Sequence, residues 1–381
     1  MSTSPVSADA MTPVAEAALQ GADWTIREIV QQPDVWAEVL EQIEARRDEL
    51  EGWLKPLLDQ RDLRIILTGA GTSAYAGQML APALTQRLGR RVEAIATTDI
   101  VGSPLQYLLP AVPTLLVSFA RSGSSPESVA AVELAENLVG DCHHLILCCN
   151  SQSELAKIAK TAKDARCVFM PAAALDQSFA MTSSFTCMVV ATLALLSSDA
   201  VQANHAIAAA RSVLSLPSDL TASAVGDGLT RVAFLGSGTL QGLAVEAALK
   251  MLELSGGKTD CYSESALGFR HGPKFVVDGQ TLVVLLTNSD PYTRKYDLDI
   301  ADELERDGIA RRVIRLERFI HQEDAQLSEE WLGLVYIVAC QLLAYRNAVV
   351  LGNSPDNPCP SGEVNRVVQG VVVHPFAEAG L

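Results

Sequence analysis

Short, continuous runs of apolar residues alternate along the chain with segments whose apolar residues recur at three- and four-residue steps. Such runs are typical of fully buried strands in a parallel sheet, and the stepped segments are typical of amphipathic helices. A helical segment from Thr25 to near Leu58 comes first. The pattern then predicts strands at residues 64–68, 114–119, 145–149 and 167–170, helices over 74–87 and from 126 to 138, and an apolar helix over 182–196.

The same pattern restarts in the second half of the chain. The glycine turn at residues 236–239 matches the turn at residues 69–72 at an offset of 167 residues (236 minus 69). At that offset the apolar runs at 281–286 and 312–316 match those at 114–119 and 145–149. We therefore predict an α/β fold of two tandem units, each a parallel sheet with helices on both faces.

The domain boundaries follow from the repeat and from the polar link near residues 216–227. Residues 1–44 are predicted to be an N-terminal arm and helix, with the first twenty residues mobile. Residues 45–216 are the first α/β domain, and residues 217–381 are the second domain with a C-terminal tail. Ligands of such sheets bind beyond the carboxyl ends of the strands, which places the glycine turns at the binding edge.

Composition and charge narrow the classes of partner. The chain has 49% hydrophobic and 19% charged residues, and 29 basic against 45 acidic residues give a net charge of −16. This charge disfavours nucleic acid and anionic membranes as partners. The first twenty residues show no secretory signal, and the eight cysteines form no CxxC pair. We expect a cytoplasmic protein with reduced cysteines.

Two strand-to-helix turns combine glycine with hydroxyl side chains. The first holds Thr72 and Ser73, and the second comprises Arg121, Ser122, Gly123, Ser124 and Ser125 before Pro126. Their N–H and hydroxyl groups can surround a phosphate at a helix N-terminus. Helix capping by Ser124 or Ser125 uses the same residues, so the pattern leaves both interpretations open. Neither turn carries a nucleotide-binding signature.

A third candidate is the charged trio Glu246, Lys250 and Glu253. The spacing places all three on one helix face, where they form either an exposed ion-pair ladder or a buried acid-base group. The apolar residues around them favour burial. His271 follows on a loop, where a solvated histidine and a catalytic one are both possible. His143 and His144 beside Cys142 lack metal-site spacing, so we predict neither a metal nor another cofactor.

Taken together, the βα repeat, the turn at residues 122–127, the charged helix at 246–253 and the loop Arg270-His271-Gly272-Pro273 resemble the double sugar-isomerase (SIS) family. From about residue 22 to 381 the chain is similar to the isomerase half of glucosamine-6-phosphate synthase. Within the family it most resembles the AgaS group, on the loop at 269–273 and the tail at 354–370. The resemblance implies tandem SIS subdomains and a small sugar phosphate as ligand.

The resemblance also assigns roles to residues. Glu253 corresponds to the family's proton-shuttling base, with Lys250 and Glu246 as helix partners, and His271 corresponds to the ring-opening histidine. In the synthase this histidine comes from a neighbouring subunit, which implies a homo-oligomer with shared active sites. The phosphate cradle and substrate contacts then comprise Thr72, Ser73, Arg121, Ser122, Gly123, Ser124, Ser125, Glu246 and the loop at 179–183. Gln369 aligns with the synthase's C-terminal lysine.

The function implied is deamination of galactosamine 6-phosphate to tagatose 6-phosphate and ammonia. Alternatives within the same fold are a plain aldose-ketose isomerase and a deaminase of another amino-sugar 6-phosphate. A non-catalytic sugar-phosphate sensor is the alternative from another class. Such sensors usually carry a DNA-binding segment, and the chain offers no basic stretch for one.

Overall fold

The computed structural model describes residues 23–216, 224–321, 324–368 and 370–376. The predicted arm over residues 1–20, most of the link at 216–227, and Gln369 lie outside these ranges. Three helices open the described chain and end at Leu58, as the sequence predicts. They are α1 (Asp23–Val30), α2 (Gln32–Glu44) and α3 (Arg47–Leu58).

The first half forms a five-stranded parallel sheet in the order β2-β1-β3-β4-β5. Its strands are β1 (Arg64–Thr68), β2 (Val92–Ala94), β3 (Thr114–Ala120), β4 (Cys142–Cys148) and β5 (Ala165–Phe169). Its helices are α4 (Thr72–Leu88), α5 (Thr97–Gly102), α6 (Pro104–Tyr107), α7 (Pro126–Leu138), α8 (Glu154–Ile158), α9 (Ser183–Leu196) and α10 (Ala200–Leu214). Apolar side chains are buried on both faces of the sheet.

Strand β4 begins three residues earlier than its apolar run suggests. His143 and His144 therefore lie inside the strand rather than before it. His144 is fully buried and lies 2.9 Å from the carboxylate of Glu136, and His143 lies 2.6 Å from Asp164. Both histidines pair with carboxylates within the fold, which agrees with the structural role predicted for them. All eight cysteines are free thiols.

The second half forms a four-stranded parallel sheet in the order β7-β6-β8-β9. Its elements are β6 (Arg231–Gly236), α11 (Thr239–Leu254), β7 (Asp260–Glu264), β8 (Thr281–Leu286), α12 (Thr293–Asp307), β9 (Arg312–Arg315) and α13 (Glu329–Val350). Short 3-10 turns occur at Ala172–Ala174, Gly268–Arg270, Pro273–Val276, Leu316–Phe319 and Asp324–Gln326.

The predicted repeat is confirmed by the positions of the strands and by the backbone of the turns. β6 and β8 begin 167 residues after β1 and β3 (231 minus 64, 281 minus 114). The glycine before each following helix has the same conformation, φ 56° and ψ −127° at Gly71 and φ 59° and ψ −127° at Gly238. A positive φ is readily adopted only by glycine, so the turn geometry itself is repeated.

One apolar core joins the two halves. Helices α4 and α11 pack closely. A Cβ on Gly242 of α11 would come within 2.5 Å of the backbone nitrogen of Met79 on α4, so only glycine allows this approach. Helix α13 covers both and buries Trp331 and Tyr336. By length and composition α13 could cross a membrane, but 72% of its apolar window is buried inside the protein. It is the central core helix, and it fixes the two halves against each other.

Candidate active site

A cavity of about 740 Å³ opens at the carboxyl ends of β1 and β3, where parallel sheets bind ligands. Five parts of the chain form its wall: the turn after β1, the turn after β3, the loop with Phe179 and Met181, the end of α11 and a segment of the C-terminal tail. Residues predicted for the site that line the cavity are Thr72, Ser73, Arg121, Ser122, Ser125 and Glu253. The first half therefore supplies the turns, and the second half supplies the carboxylate.

The two turns present helix N-termini to the cavity. Helix α4 begins at Thr72 and helix α7 at Pro126, so the positive ends of two helix dipoles lie at the same cavity. Ser122 and Ser125 lie in the cavity wall with them. No side-chain cap bond forms at Ser125, the residue before α7. The arrangement suits a phosphate dianion despite the acidic protein.

Gly123 and Ser124 have other tasks within the second turn. Gly123 has φ +63°, and a Cβ there would come within 2.5 Å of the Ser153 hydroxyl oxygen, so the turn requires glycine. Ser124 is exposed, and its Oγ accepts a hydrogen bond of 3.2 Å from the backbone N–H of Glu154. Of the four residues from 122 to 125, the structure thus brings Ser122 and Ser125 to the cavity.

The carboxylate of Glu253 faces the cavity from α11 and is held from behind by Lys250. Lys250 is fully buried, and its Nζ donates to Glu253 and, over 3.0 Å, to the hydroxyl of Thr72. Burial lowers the pKa of Lys250, but the electrostatic influence of its two carboxyl neighbours and the hydrogen bond to Glu253 outweigh burial and hold that pKa above its usual range. Lys250 therefore stays charged and links the base candidate to the first turn.

Glu246 lies deeper, on the far side of Lys250. Its side chain is fully buried, and its Oε1 lies 3.5 Å from Lys250 Nζ. Glu246 and Lys250 are thus buried, as the apolar sequence around them predicts, whereas Glu253 is partly exposed at the cavity. Glu246 nevertheless stands behind the cavity wall, so its assignment as a substrate contact stays a prediction.

Comparisons with a family model and with individual proteins agree on one family. Residues 57–198 match the SIS domain. The chain is 48% identical to D-galactosamine-6-phosphate deaminase AgaS of Shewanella sp. (strain ANA-3), over 94% of this chain and 93% of that protein. The chain belongs to the AgaS family. The SIS match falls within the first predicted domain, whose boundaries themselves stay predictions.

Two solved structures share the AgaS-family fold. A structure from Clostridium novyi NT superposes with a TM-score of 0.90 at 37% identity, covering 95% of this chain and 98% of that one. Tagatose-6-phosphate ketose/aldose isomerase from Escherichia coli superposes with a TM-score of 0.85 at 40% identity, covering 93% and 96%. The same fold therefore covers nearly the whole length of this chain and of both solved structures.

The C-terminal tail forms the roof of the cavity in this AgaS-family chain. Residues 358–361 and 364–368 line it, opposite Phe179 and Met181 of the predicted substrate loop. Arg121 joins loop and tail: its Nη1 donates to the Phe179 carbonyl (3.1 Å) and its Nη2 to the Arg366 carbonyl (2.6 Å). The guanidinium of Arg366 donates in turn to the Ser178 carbonyl over 3.0 Å. The pattern of apolar and polar residues does not predict that the tail covers the cavity, because the arginines that hold it bind main-chain carbonyls, which every residue has.

Helix α1 holds both the C-terminal tail and the neighbouring loop at residues 177–178 in place. Asp356 of the tail accepts hydrogen bonds from the backbone N–H (2.8 Å) and hydroxyl (2.6 Å) of Thr25. One turn further on, the buried carboxylate of Glu28 accepts from the N–H groups of Gln177 and Ser178. Burial, with a further contribution from Asp176, raises the pKa of Glu28 to about 7, against the opposing effect of these hydrogen bonds.

The structure does not bring His271 to this cavity. The residue is exposed between two 3-10 turns, and the loop is fastened to α12 by Arg270 and Lys274, which both pair with Glu303. Within the described part of the chain no side chain hydrogen-bonds the imidazole. Phe275 on the same loop is 97% exposed. The loop is therefore built to present His271 and Phe275 outward.

The equivalent turn of the second half is filled by the protein's own carboxylates. The Ser237 hydroxyl donates to Asp297 over 2.6 Å, and the Asn288 N–H donates to the same carboxylate over 2.8 Å. Glu329 accepts from the Asn288 side chain and from the N–H of Thr239, the first residue of α11. Because a carboxylate already occupies this helix N-terminus, the two repeated turns differ in what they leave open to an anion.

Proposed function

We propose that the chain is a cytoplasmic deaminating isomerase that converts galactosamine 6-phosphate and water to tagatose 6-phosphate and ammonia. One observation carries the proposal: Glu253 and two strand-to-helix turns suited to a phosphate line the same cavity, and Lys250 links Glu253 to the first of these turns. Sugar-phosphate binding is supported by the family. Two relatives are named as a deaminase and as a ketose/aldose isomerase, and both reactions involve proton transfer between C1 and C2.

The geometry supports the following sequence. The substrate phosphate binds at Ser122 and Ser125, with the N-termini of α4 and α7 neutralising its charge. Glu253 removes the proton from C2 of the open-chain sugar as the C1 carbonyl oxygen takes up a proton, which gives an enolamine. Glu253 then returns its proton to C1 as the nitrogen gives one up, so the two further transfers cancel. The product of this step is a 2-imino sugar. Water adds to C2, and the carbon–nitrogen bond breaks with its electron pair on nitrogen, which leaves as ammonia.

Ring opening needs a second acid-base group, and we infer that His271 of a second copy of the chain supplies it. His271 is exposed and does not line the cavity of its own chain, and the almost fully exposed Phe275 on the same loop offers an apolar contact for another subunit. The proposed enzyme is therefore a homo-oligomer whose sites are completed across an interface.

The substrate assignment is tested with a panel of sugar phosphates. Ammonia and ketose should be measured for galactosamine 6-phosphate, glucosamine 6-phosphate, a fructosamine phosphate and the corresponding neutral aldose phosphates. Galactosamine 6-phosphate should give equal amounts of ammonia and tagatose 6-phosphate. Ketose formation from a neutral aldose phosphate without ammonia from any amino sugar would instead establish a plain isomerase. Binding of sugar phosphates without turnover of any would establish a sensor.

Shared sites are tested by mixing two inactive variants. Glu253→Gln and His271→Ala should each be inactive alone, because each lacks one acid-base group. Subunits exchanged between them should regain up to about a quarter of the wild-type rate, since a random two-fold site pairing leaves that share of sites intact. A mixture that exchanges subunits and still remains inactive would place both residues in one chain's site.

A further inference from the structure

Glu246 is a buried acid without the hydrogen bonds that a buried carboxylate anion requires. Its side chain has no exposed surface, and within the described residues neither oxygen has a donor at ordinary hydrogen-bond distance; Lys250 Nζ stays 3.5 Å away, and Thr72 offers only a weak interaction. The groups that face it are Lys250 and Glu253 on its own helix and Thr72 and Tyr75 on α4. An ionised carboxylate with such weak hydrogen bonding is unfavourable in the protein interior, which favours the protonated acid.

The charges of Glu246, Lys250 and Glu253 also favour a protonated Glu246. Lys250 is the one cation of the trio, and it donates to Glu253 directly, whereas Glu246 remains at 3.5 Å. A neutral cluster therefore results when Glu246 carries a proton and Glu253 does not. Burial raises the pKa of Glu246 to about 8, and the attraction of Lys250 only partly offsets this. At pH 7 the protonated form of Glu246 predominates.

We propose that Glu246 is the proton store of the site: it stays a carboxylic acid and, through Lys250, supplies the proton that Glu253 delivers to the departing nitrogen. The proposal rests on the deaminase function proposed above. It makes Glu246 a positioning residue, because it acts through Lys250 and touches no substrate. A store is useful in deamination because the nitrogen must be protonated to leave, whereas isomerisation needs only the proton that Glu253 already carries from C2 to C1.

The proton transfers balance. After water has added to C2, Lys250 passes a proton to the Glu253 carboxylate and receives the proton of Glu246. Glu253 then protonates the nitrogen, the C2–N bond breaks, and ammonia leaves. The hydroxyl on C2 loses its proton to Glu253 as the ketone forms. That proton returns through Lys250 to Glu246, so the trio ends each cycle in its starting state.

The test compares two rates in Glu246→Gln, which keeps the shape of the side chain but has no proton to give. Loss of the C2 hydrogen to solvent should remain within about threefold of wild type, whereas ammonia release should fall about tenfold to a hundredfold, the scale of one general acid. In wild type, ammonia release should decline as the pH rises through about 8. The variant should lack this decline, and Glu246→Asp should restore part of the rate together with the decline.

A parallel fall of both rates in Glu246→Gln, or ammonia release at the wild-type rate, would overturn the proposal and leave the deaminase assignment intact. A second measurement does not depend on substrate. The infrared spectrum of wild type should contain a carbonyl band of a buried, neutral carboxylic acid that disappears as the pH passes about 8 and is absent from Glu246→Gln. Absence of that band from wild type at pH 7 would overturn the protonated state, whatever the enzyme's substrate proves to be.

Discussion

The Nζ of Lys250 lies 3.0 Å from the hydroxyl oxygen of Thr72, so a cation from the second repeat reaches the strand-to-helix turn of the first. The same Nζ donates to Glu253, the one carboxylate of the trio that lines the cavity. In the proposed function, this contact joins the phosphate-binding turn to the acid-base group across the interface of the two halves. Both halves contribute side chains to the cavity.

Replacing Lys250 with Met should lower ammonia release at least about a hundredfold, because Glu253 loses the group that orients it. The free energy of unfolding should fall by about 3 kcal/mol, since a buried ion pair loses one partner. Steady-state kinetics and urea unfolding measure the two effects. The control is Lys295→Met, which alters an exposed lysine of α12 and should change neither value. Activity of Lys250→Met within about threefold of wild type would rule out this role.

Ser125→Ala and Ser124→Ala form a matched pair within the second turn. Ser125 lines the cavity, whereas the Ser124 hydroxyl faces outward and accepts from Glu154. Losing a hydrogen bond to a charged phosphate costs about 1.5 to 3 kcal/mol, so Ser125→Ala should raise KM by about tenfold to a hundredfold. Ser124→Ala should leave KM within about twofold. The opposite ranking of the two variants would mean that the phosphate binds elsewhere.

Much of this arrangement is predictable from sequence, because its signals are local. Fully apolar strands and positive-φ glycines recur at a fixed offset, and each repeat imposes the same strand-turn-helix geometry. The short edge strands β2 and β7 escape such prediction. Their sequences, Val-Glu-Ala and Asp-Cys-Tyr-Ser-Glu, are partly polar because edge strands are less buried.

The roof of the cavity illustrates what local patterns cannot reveal. Arg366 binds the Ser178 carbonyl across 188 positions of sequence, and its own carbonyl accepts from Arg121 across 245. Any residue offers a carbonyl, so the sequence contains no complementary partner to detect. The direction of each side chain in a turn is likewise set by packing. The sequence alone therefore does not show that Ser125 lines the cavity and Ser124 does not.

The buried carboxylate of Glu28 should make stability depend on pH. Its pKa is raised from 4.5 to about 7, so its contribution to stability is full below pH 4.5 and is lost as the pH rises through 7. This change corresponds to at most about 3 kcal/mol. Glu28→Gln should therefore match wild type near pH 4.5 and unfold at a higher temperature at pH 8.

The control for that measurement is Glu41→Gln, an exposed position on α2, which should follow the wild-type curve. Glu246 shifts in the same direction, with its pKa raised to about 8, so Glu28→Gln should flatten the pH dependence without abolishing it. If thermal unfolding of Glu28→Gln and wild type shows the same pH dependence from 5 to 8, Glu28 ionises normally.

The turn after β6 already holds carboxylates of the protein itself, so we expect one bound phosphate per chain. Glu329 already accepts from the first N–H of α11, so inorganic phosphate should bind at the turns of the first half alone. Equilibrium dialysis with labelled phosphate should give a stoichiometry of one, and Ser122→Ala combined with Ser125→Ala should weaken that binding strongly. Two equivalent phosphates per chain would contradict the difference between the repeated turns.

The measurement that bears most directly on the whole account is ammonia release from galactosamine 6-phosphate by wild type and by Glu253→Gln. Glutamine preserves the size of the side chain but cannot take the C2 proton. Wild type should release ammonia in equal amount with tagatose 6-phosphate, whereas the variant should lose at least about a hundredfold in rate and still bind the substrate. Ammonia release by Glu253→Gln at the wild-type rate would contradict the account.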